Sequence, residues 1–392
     1  MAKICIVGPS TKYFSGISAY TIRLANGLSV SNRVSVVLIR NLLPRFLYPG
    51  KHQVARQDHL INFQAQIKTF DGLDWNSPPS WLRTYRFLAR EQPDVLIMQW
   101  WSSSVAHLEL FLALANRWKL KSRLILEMHE ILDPLEAANL PVRLYSRAMG
   151  KQIMSRVDTF IVHSPSVKEQ ALRTYRLEDN RVFVIPHGVF ATSPREQTAE
   201  TAKKELGVDG KFVVLYFGLI RRYKGIPCLV EAFSRLPPSI AADFRLIIAG
   251  EDWGDEKGLP ALIGSSPYAN QITFIPEFVP ESAVSRYFYA ADVVALPYTR
   301  TSGSGVASLA MAYGKPIIIS DLEGTRFSLQ GYKGALFSPP GDGSELATRI
   351  AEVYAQHKAG QVLYYEVPSH LIWPNIISQY EEIIRKSLER PS

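Results

Sequence analysis

Cysteine is scarce in this chain: 392 residues hold only Cys5 and Cys228, each inside an apolar stretch and in opposite halves. That excludes a disulfide framework and a cysteine-ligated metal cluster, and it fits a reducing cytosol. Long hydrophobic runs are missing too. No uninterrupted apolar stretch nears the roughly 20 residues that span a bilayer, and "MAKICIVGP" is too short a run for a secretory signal. A soluble or peripheral protein is expected. Acidic side chains are nearly absent from the first 60 residues, where Asp58 stands against eight lysines and arginines. Residues 1–190 carry 24 basic and 14 acidic side chains and residues 191–392 carry 20 and 22, so the net charge of +8 arises in the first half. "RNLLPRFLYPGK" interleaves that charge with Leu, Phe and Tyr, which suits a surface facing anionic lipid headgroups or another polyanion. Ordinary core residues behind a solvated face would read the same way. No nucleic-acid-binding motif accompanies the charge, so no nucleic-acid partner is expected. The G-x-G-x-x-G fingerprint is absent and no acidic residue closes "RVSVVLI", which argues against hydride chemistry with NAD.

What is present is length, a composition 47% hydrophobic, and alternation. The chain is about twice the size of a single-core domain, so two domains are expected. "KICIVGP", "RVSVVLI", "DVLIMQW", "RLILEMH", "DTFIVHS" and "RVFVIPH" read as strands. Between them "GISAYTIRLANGLS", "SSVAHLELFLALANRWK" and "SVKEQALRTYR" have helical periodicity. Near-continuous apolar strands separated by helices predict a parallel sheet buried on both faces. At "GVFATSPREQTAE" the pattern lapses into a polar linker, and it restarts with "FVVLYFG", "FRLIIAG", "QITFIPEF", "DVVALPY" and "PIIISD". The expectation is an α/β protein of two Rossmann-like, doubly wound parallel-sheet domains, residues 1–190 and 191–372. "WPNIISQYEEIIRKSL" then forms an amphipathic helix over 373–392.

Ligands of such sheets bind at the carboxyl ends of strands, so the strand-to-helix turns carry the candidate chemistry. In "FGLIRRYKG", Gly218 ends a strand, and Arg221, Arg222 and Lys224 precede Gly225 and a helix. Free backbone amides, a helix dipole and nearby cations make an anion site; a solvated charged loop is the plainer reading. In "YTRTSGSGVASLAMAYGKP", Thr301, Ser302, Gly303, Ser304, Gly305 and Val306 form a turn with little side chain, which lets backbone amides approach phosphates or sugar hydroxyls. A plain Ser N-cap explains Ser304 but not the two glycines. In "GPSTKYFSGISAY", Gly16 opens a helix after a strand. In "LEMHEILDP", His129 ends a strand, with Glu130 and Asp133 nearby to act on a hydroxyl proton. His163 and His187 sit at equivalent strand ends, so position alone does not single out His129. Metal-ligand spacing is not evident among the eight histidines.

Taken together, "VFVIPHGV", "FGLIRRYKGIPCLVEAF", "LIIAGE", "ITFIPEFVPESAVSRYFYAADVVALPY" and "SGSGVASLAMAYGKPIIISD" resemble the GT-B glycosyltransferases of the family-4 type, in order and spacing and over nearly the whole chain. The resemblance implies a retaining, metal-independent transferase acting in the cleft between its domains. The C-terminal domain would hold a nucleotide-diphosphate sugar, UDP- or GDP-linked, and the N-terminal one a glycan or lipid-linked acceptor. Its expected role is cell-surface polysaccharide or glycoconjugate synthesis in the cytoplasm, at the inner face of the membrane. It gives Lys224 a diphosphate contact together with Arg221 or Arg222, and it sets His129 against the transferred sugar. Donor contacts fall to Gly16, Gly218, Glu251, Phe278, Val279 and the 301–306 turn, and Trp373 resembles the aromatic residue before a last helix that returns to the first domain. Two departures stand out. Leu219 replaces an arginine common after the first glycine, and Thr301 and Leu309 occupy the positions of the family's E-x7-E pair. Other GT-B chemistries such as epimerisation or phosphorolysis, and an inactive nucleotide-sugar-binding scaffold, are the alternatives.

Overall fold

The computed structural model describes residues 1–12, 16–41, 61–101, 105–129, 131, 140–189, 197–254, 256–301 and 303–389. Most of the basic "RNLLPRFLYPGK" stretch, Glu130, Asp133, Ser302 and most of the expected linker lie outside them. The chain divides into two compact units, Met1–Pro186 with Trp373–Ser392, and His187–Ile372.

The first unit is built on a seven-stranded sheet. Its strands are β1 (Lys3–Pro9), β2 (Arg33–Asn41), β3 (Lys68–Asp74), β4 (Val95–Trp100), β5 (Arg123–Met128), β6 (Thr159–Val162) and β7 (Val182–Val184). They lie in the order β3-β2-β1-β4-β5-β6-β7, all parallel. The helices are α1 (Gly16–Leu28), α2 (Pro78–Glu91), α3 (Ala106–Ala115), α4 (Leu140–Met154) and α5 (Pro165–Tyr175). Alternate residues of the strands feed two separate cores. Cys5, Val7, Leu96, Met98, Leu124 and Leu126 pack with α2 to α5. Ile4, Ile6, Val95, Ile97 and Ile125 pack with α1 and the C-terminal helix Trp373–Glu389. That is the period-two division expected of strands covered on both faces.

The C-terminal helix belongs to this unit because Ile376, Ile377, Tyr380, Ile383 and Ile384 recur on one face and are buried. Four buried isoleucines at about 1.5–3 kcal/mol each give a large gross driving force. Close approach needs Gly27 of α1, where a Cβ would lie 2.4 Å from the Ile377 side chain.

The second unit carries β8 (Phe212–Phe217), β9 (Phe244–Ala249), β10 (Ile272–Ile275), β11 (Val293–Leu296), β12 (Ile317–Ser320) and β13 (Ala335–Ser338). Their order is β10-β9-β8-β11-β12-β13, again parallel, around one core. In each sheet the order reverses beside the first strand, between β1 and β4 and between β8 and β11. Those are the switch points where helices diverge to opposite faces and leave a crevice.

Two expectations need correction. The division falls at Pro186/His187, four residues before the expected boundary. The Ile185 amide still donates to the Val162 carbonyl at 2.9 Å, whereas the Val189 amide donates to Leu371 at 2.8 Å and its side chain joins the second core. The strand expected to end at Gly218 ends at Phe217, because Gly218 adopts φ 111°. Among the described residues, no helix is long and apolar enough to cross a membrane.

Candidate functional site

In the second unit Gly218, Lys224, Ser304 and Val306 come together at the β8/β11 switch point, and glycines bring them there. Gly218 follows β8, and a Cβ on it would lie 3.1 Å from Val306. Gly225 adopts φ 68°, and a Cβ there would sit 1.9 Å from the Pro297 carbonyl oxygen after β11. Gly250, after β9, has φ 152° and would collide with Gly218 in the same way. These are conformations and approaches that only glycine tolerates. The loops after β8, β9 and β11 therefore lie backbone to backbone.

Side chains are held over this floor by aromatic rings. The Lys224 ammonium lies 3.9 Å from the ring centroid of Tyr298 and 5.0 Å from that of Tyr223. The Arg221 guanidinium lies 4.7 Å from the Trp253 ring. Such contacts fix a cation without neutralising it. Burial pulls Lys224 below the ordinary lysine range, with Tyr223 opposing the shift. Arg222 is exposed. Lys224 and Arg221 are thus both held over rings at the floor.

The helix Gly305–Ala312 begins beside them. The Ser304 hydroxyl caps it, accepting the Ala307 amide at 3.1 Å and lying 3.0 Å from the buried Tyr298 hydroxyl. Gly305 and Val306 are the helix's first two residues, so their amides have no carbonyl within it to bond. Gly305 is exposed, with nothing within 4 Å of where its Cβ would be. The Ser304 hydroxyl is the plain N-cap, and the anion-site reading concerns different atoms, the amides of Gly305 and Val306. Thr301 accepts the Gly303 amide at 3.1 Å, so it shapes the turn. Glu251 and Val279 are buried, Phe278 is half-buried, and Leu309 packs against the core. Sequence reasoning missed Trp253 and Tyr298, whose value lies in cations distant in sequence.

In the first unit His129 directly follows β5, its amide bonded to the Trp100 carbonyl at 2.8 Å. Gly16 begins α1, and the residues just before it lie outside the description. Beside His129 is a buried polar cluster. The Glu127 carboxylate, fully buried, accepts from Tyr380 of the C-terminal helix and from Gln99 Nε2 at 3.0 Å. Thr21 donates to Gln99 Oε1 at 2.6 Å, and Gly8 leaves the room for this pair, since its Cβ would lie 2.4 Å from Gln99. The Tyr20 and Tyr380 hydroxyls are 2.8 Å apart. His163 Nε2 is 3.6 Å and His129 Nε2 3.9 Å from the Glu127 oxygens, the imidazole rings are 4.7 Å apart, and Tyr20 meets both edge-on.

Burial governs the charges here. It pushes the Glu127 carboxyl up to about 7, although hydrogen bonds from Tyr380, Gln99 and Tyr20 pull it down. It pushes His163 down to about 4, with a bond to the Ile185 carbonyl opposing. His163 is therefore neutral near pH 7, and Glu127 carries a proton part of the time. Two imidazoles and a carboxylate are also metal-ligand types. Here the carboxylate oxygens are taken by Tyr380 and Gln99. Sequence reasoning selected His129 and passed over Glu127, two residues earlier. The available signal was a carboxylate inside "LILEM", a strand otherwise buried and apolar.

Comparison with known proteins bears on these arrangements. Residues 198–367 match the glycosyl transferases group 1, and residues 14–193 match Glycosyltransferase Family 4. A D-inositol 3-phosphate glycosyltransferase of Xylanimonas cellulosilytica is 28% identical over 81% of this chain and 78% of its own length. Its counterpart from Mycolicibacterium gilvum is 27% identical, over 73% of this chain and 66% of its own. A sucrose-phosphate synthase structure from Thermosynechococcus elongatus has a TM-score of 0.71 at 19% identity, covering 98% of this chain and 99% of that one. Anabaena HepE in complex with UDP-glucose has a TM-score of 0.65 at 19% identity, over 99% and 98%. At such identities the structural likeness establishes the fold.

Proposed function

The chain belongs to the GT-B glycosyltransferases of the family-4 type, and from this we propose a retaining, metal-independent enzyme of cell-surface polysaccharide or glycoconjugate synthesis. The His187–Ile372 unit holds a nucleotide-diphosphate sugar, UDP- or GDP-linked. The Met1–Pro186 unit holds a glycan or lipid-linked acceptor, and the enzyme works in the cytoplasm at the inner membrane face. The observation that carries the reading is Lys224 held over Tyr298 beside the glycine-opened start of helix Gly305–Ala312. UDP-glucose bound to the fold neighbour HepE favours the UDP branch of the donor choice.

The reaction breaks the bond between the anomeric carbon and the diphosphate oxygen, and the electron pair leaves with the diphosphate. An acceptor hydroxyl oxygen forms the new bond and gives up its proton to the departing diphosphate oxygen. Charge therefore grows on the leaving phosphate while the sugar becomes oxocarbenium-like. Lys224, Arg221 and the amides of Gly305 and Val306 answer the first change. They are fixed before reaction and need no reorganisation. His129 faces the sugar, and the missing E-x7-E carboxylates are replaced by backbone amides and hydroxyls, with Glu251 nearest in type.

A thermal-shift panel of UDP, GDP, ADP and dTDP with their sugar conjugates tests the donor. One nucleotide should stabilise selectively, by about 2.7 kcal/mol at a hundred times its dissociation constant. No shift with any would favour the inactive scaffold, which the departures at Thr301 and Leu309 already suggest. Product analysis with and without acceptor separates transfer from epimerisation. The anomeric configuration of the product tests retention, and unchanged turnover in EDTA tests metal independence.

A further inference from the structure

The buried cluster beside His129 is drawn from five places in the first unit: Gln99 of β4, Glu127 of β5, His163 just past β6, Tyr20 of α1 and Tyr380 of the C-terminal helix. Apolar side chains of similar volume would fill the same space without the cost of burying a carboxyl. Packing alone therefore gives no reason for Glu127.

The hydrogen bonds show where the protons sit. His163 Nδ1 lies 3.0 Å from the Ile185 carbonyl oxygen, and only a protonated nitrogen can bond a carbonyl. In the neutral ring Nε2 is then a lone pair, and it faces Glu127 Oε1 at 3.6 Å. Two acceptors so placed are reconciled by a proton on the carboxyl, which burial also favours.

His129 Nε2 faces the other oxygen, Oε2, at 3.9 Å. That is longer than a hydrogen bond, yet well within the reach of a charge in a site removed from water, and contacts of this kind tighten when substrate arrives. An ionised Glu127 draws the His129 proton to Nε2 and leaves Nδ1 as an acceptor for a sugar hydroxyl. A protonated Glu127 makes no such demand, so the tautomer of His129 follows the charge of Glu127. Tyr380, donating to Oε1, and Gln99, donating to Oε2 at 3.0 Å, favour the ionised form. Among the described residues, the titratable groups set against this carboxyl are Tyr20, Tyr380, His129 and His163. We propose that Glu127 is a positioning residue for sugar transfer, setting which nitrogen of His129 is offered to the sugar, and that the C-terminal helix enters the reaction through Tyr380. The proposal deepens the glycosyl-transfer reading and rests on it for the part His129 plays.

Two readouts on the full chain test it: release of UDP from UDP-glucose without acceptor, and ring-nitrogen NMR of histidine-labelled protein, with His129→Asn identifying the His129 signals. Ionisation of one carboxyl near 7 should raise wild-type turnover about tenfold between about pH 6 and 8. Glu127→Gln, neutral at every pH, should hold turnover flat at the lower level and abolish the pH-dependent change in the His129 tautomer. Tyr380→Phe withdraws one hydrogen bond from the ionised carboxyl and should move the midpoint up by about one pH unit in both readouts. A merely structural role would lower thermal midpoints, and turnover by one factor at every pH, while leaving the titration midpoint in place. That result overturns the proposal, as does a His129 spectrum indifferent to Glu127→Gln. Should Glu127→Gln fail to fold, an unmoved midpoint in Tyr380→Phe is enough to overturn it. The NMR readout needs no substrate. A wild type that releases no UDP while its His129 tautomer follows Glu127 would indict the transfer reading and leave the coupling of the two residues standing.

Discussion

The two units solve one problem, polar chemistry at the carboxyl edge of an apolar sheet, by opposite means. The first buries its polar groups: Glu127, Gln99, Tyr20 and Tyr380 are almost wholly removed from water and bonded to one another. The second lets glycine backbone and aromatic rings position its cations. A buried network ties function to stability, since each member is costly to leave unpaired. A backbone floor with cations above it allows the two to separate. The contrast predicts that substitutions in the second unit can abolish chemistry without loosening the fold.

The largest effect expected is at Lys224. Lys224→Ala should lower turnover about 10²- to 10³-fold, the range for loss of one preorganised charge donor. Its unfolding free energy should change by less than about 1 kcal/mol, since the residue as a whole is half-buried and the rings beneath it remain. Turnover within about threefold of wild type would remove Lys224 from the reaction.

Glycines sharpen the comparison inside the second unit. Gly225→Ala sets a Cβ 1.9 Å from a carbonyl oxygen at φ 68°, and should cost about 3 kcal/mol in urea unfolding. Gly305→Ala meets open space at a helix start, where alanine is the better helix former. Stability should hold or rise slightly. Nucleotide affinity should fall if the amides of this turn approach a phosphate closely. An alanine at 305 that leaves both unchanged would move the anion site elsewhere.

How far this was legible beforehand follows the same division. Strands buried on both faces announce themselves as apolar runs, so β1, β4, β5, β8, β9 and β11 could be read directly. The edge strand β3, "KTFDGLD", could not, because it is mostly exposed or half-buried and carries two aspartates and a glycine. Helix α4 escaped for a related reason: part of its apolar content faces outward and blurs the periodicity. In the candidate site, Gly218, Lys224 and Gly305 were visible because local turn chemistry dictates them. Trp253 and Tyr298 were not, since a ring beneath a cation 32 or 74 positions away leaves no local trace. Glu127 was legible and unread: a carboxylate in a buried strand requires partners, and Gln99 in "VLIMQW" was the matching anomaly one strand away.

Acidity distinguishes the buried network further. A carboxyl raised by folding contributes stability below its unfolded value near 4.5, and that contribution is lost as pH rises through about 7. An imidazole lowered by folding behaves oppositely: His163 contributes above its unfolded value near 6.5 and loses it as pH falls through about 4. Between pH 4.5 and 6.5 the two slopes oppose, and wild-type stability should be nearly flat. Glu127→Gln leaves the histidine alone. Whatever the variant's absolute stability, it should gain with rising pH across that window, by at most about 1.4 kcal/mol per pH unit. Urea midpoints at three pH values check this, and a variant as flat as the wild type would break the proposed opposition.

The smallest effect separates two roles of one hydroxyl. Ser304 caps the helix Gly305–Ala312 and touches Tyr298. Ser304→Ala should lose about 1 kcal/mol as a missing cap, whereas Ser304→Gly should lose only a few tenths by the same route. Donor binding through the hydroxyl itself would weaken equally in both variants, because both lack it. Binding that instead follows the cap, weak in alanine and nearly intact in glycine, would assign the donor contact to the backbone amides of Gly305 and Val306. That second outcome is expected, since the hydroxyl is already engaged by Ala307 and Tyr298.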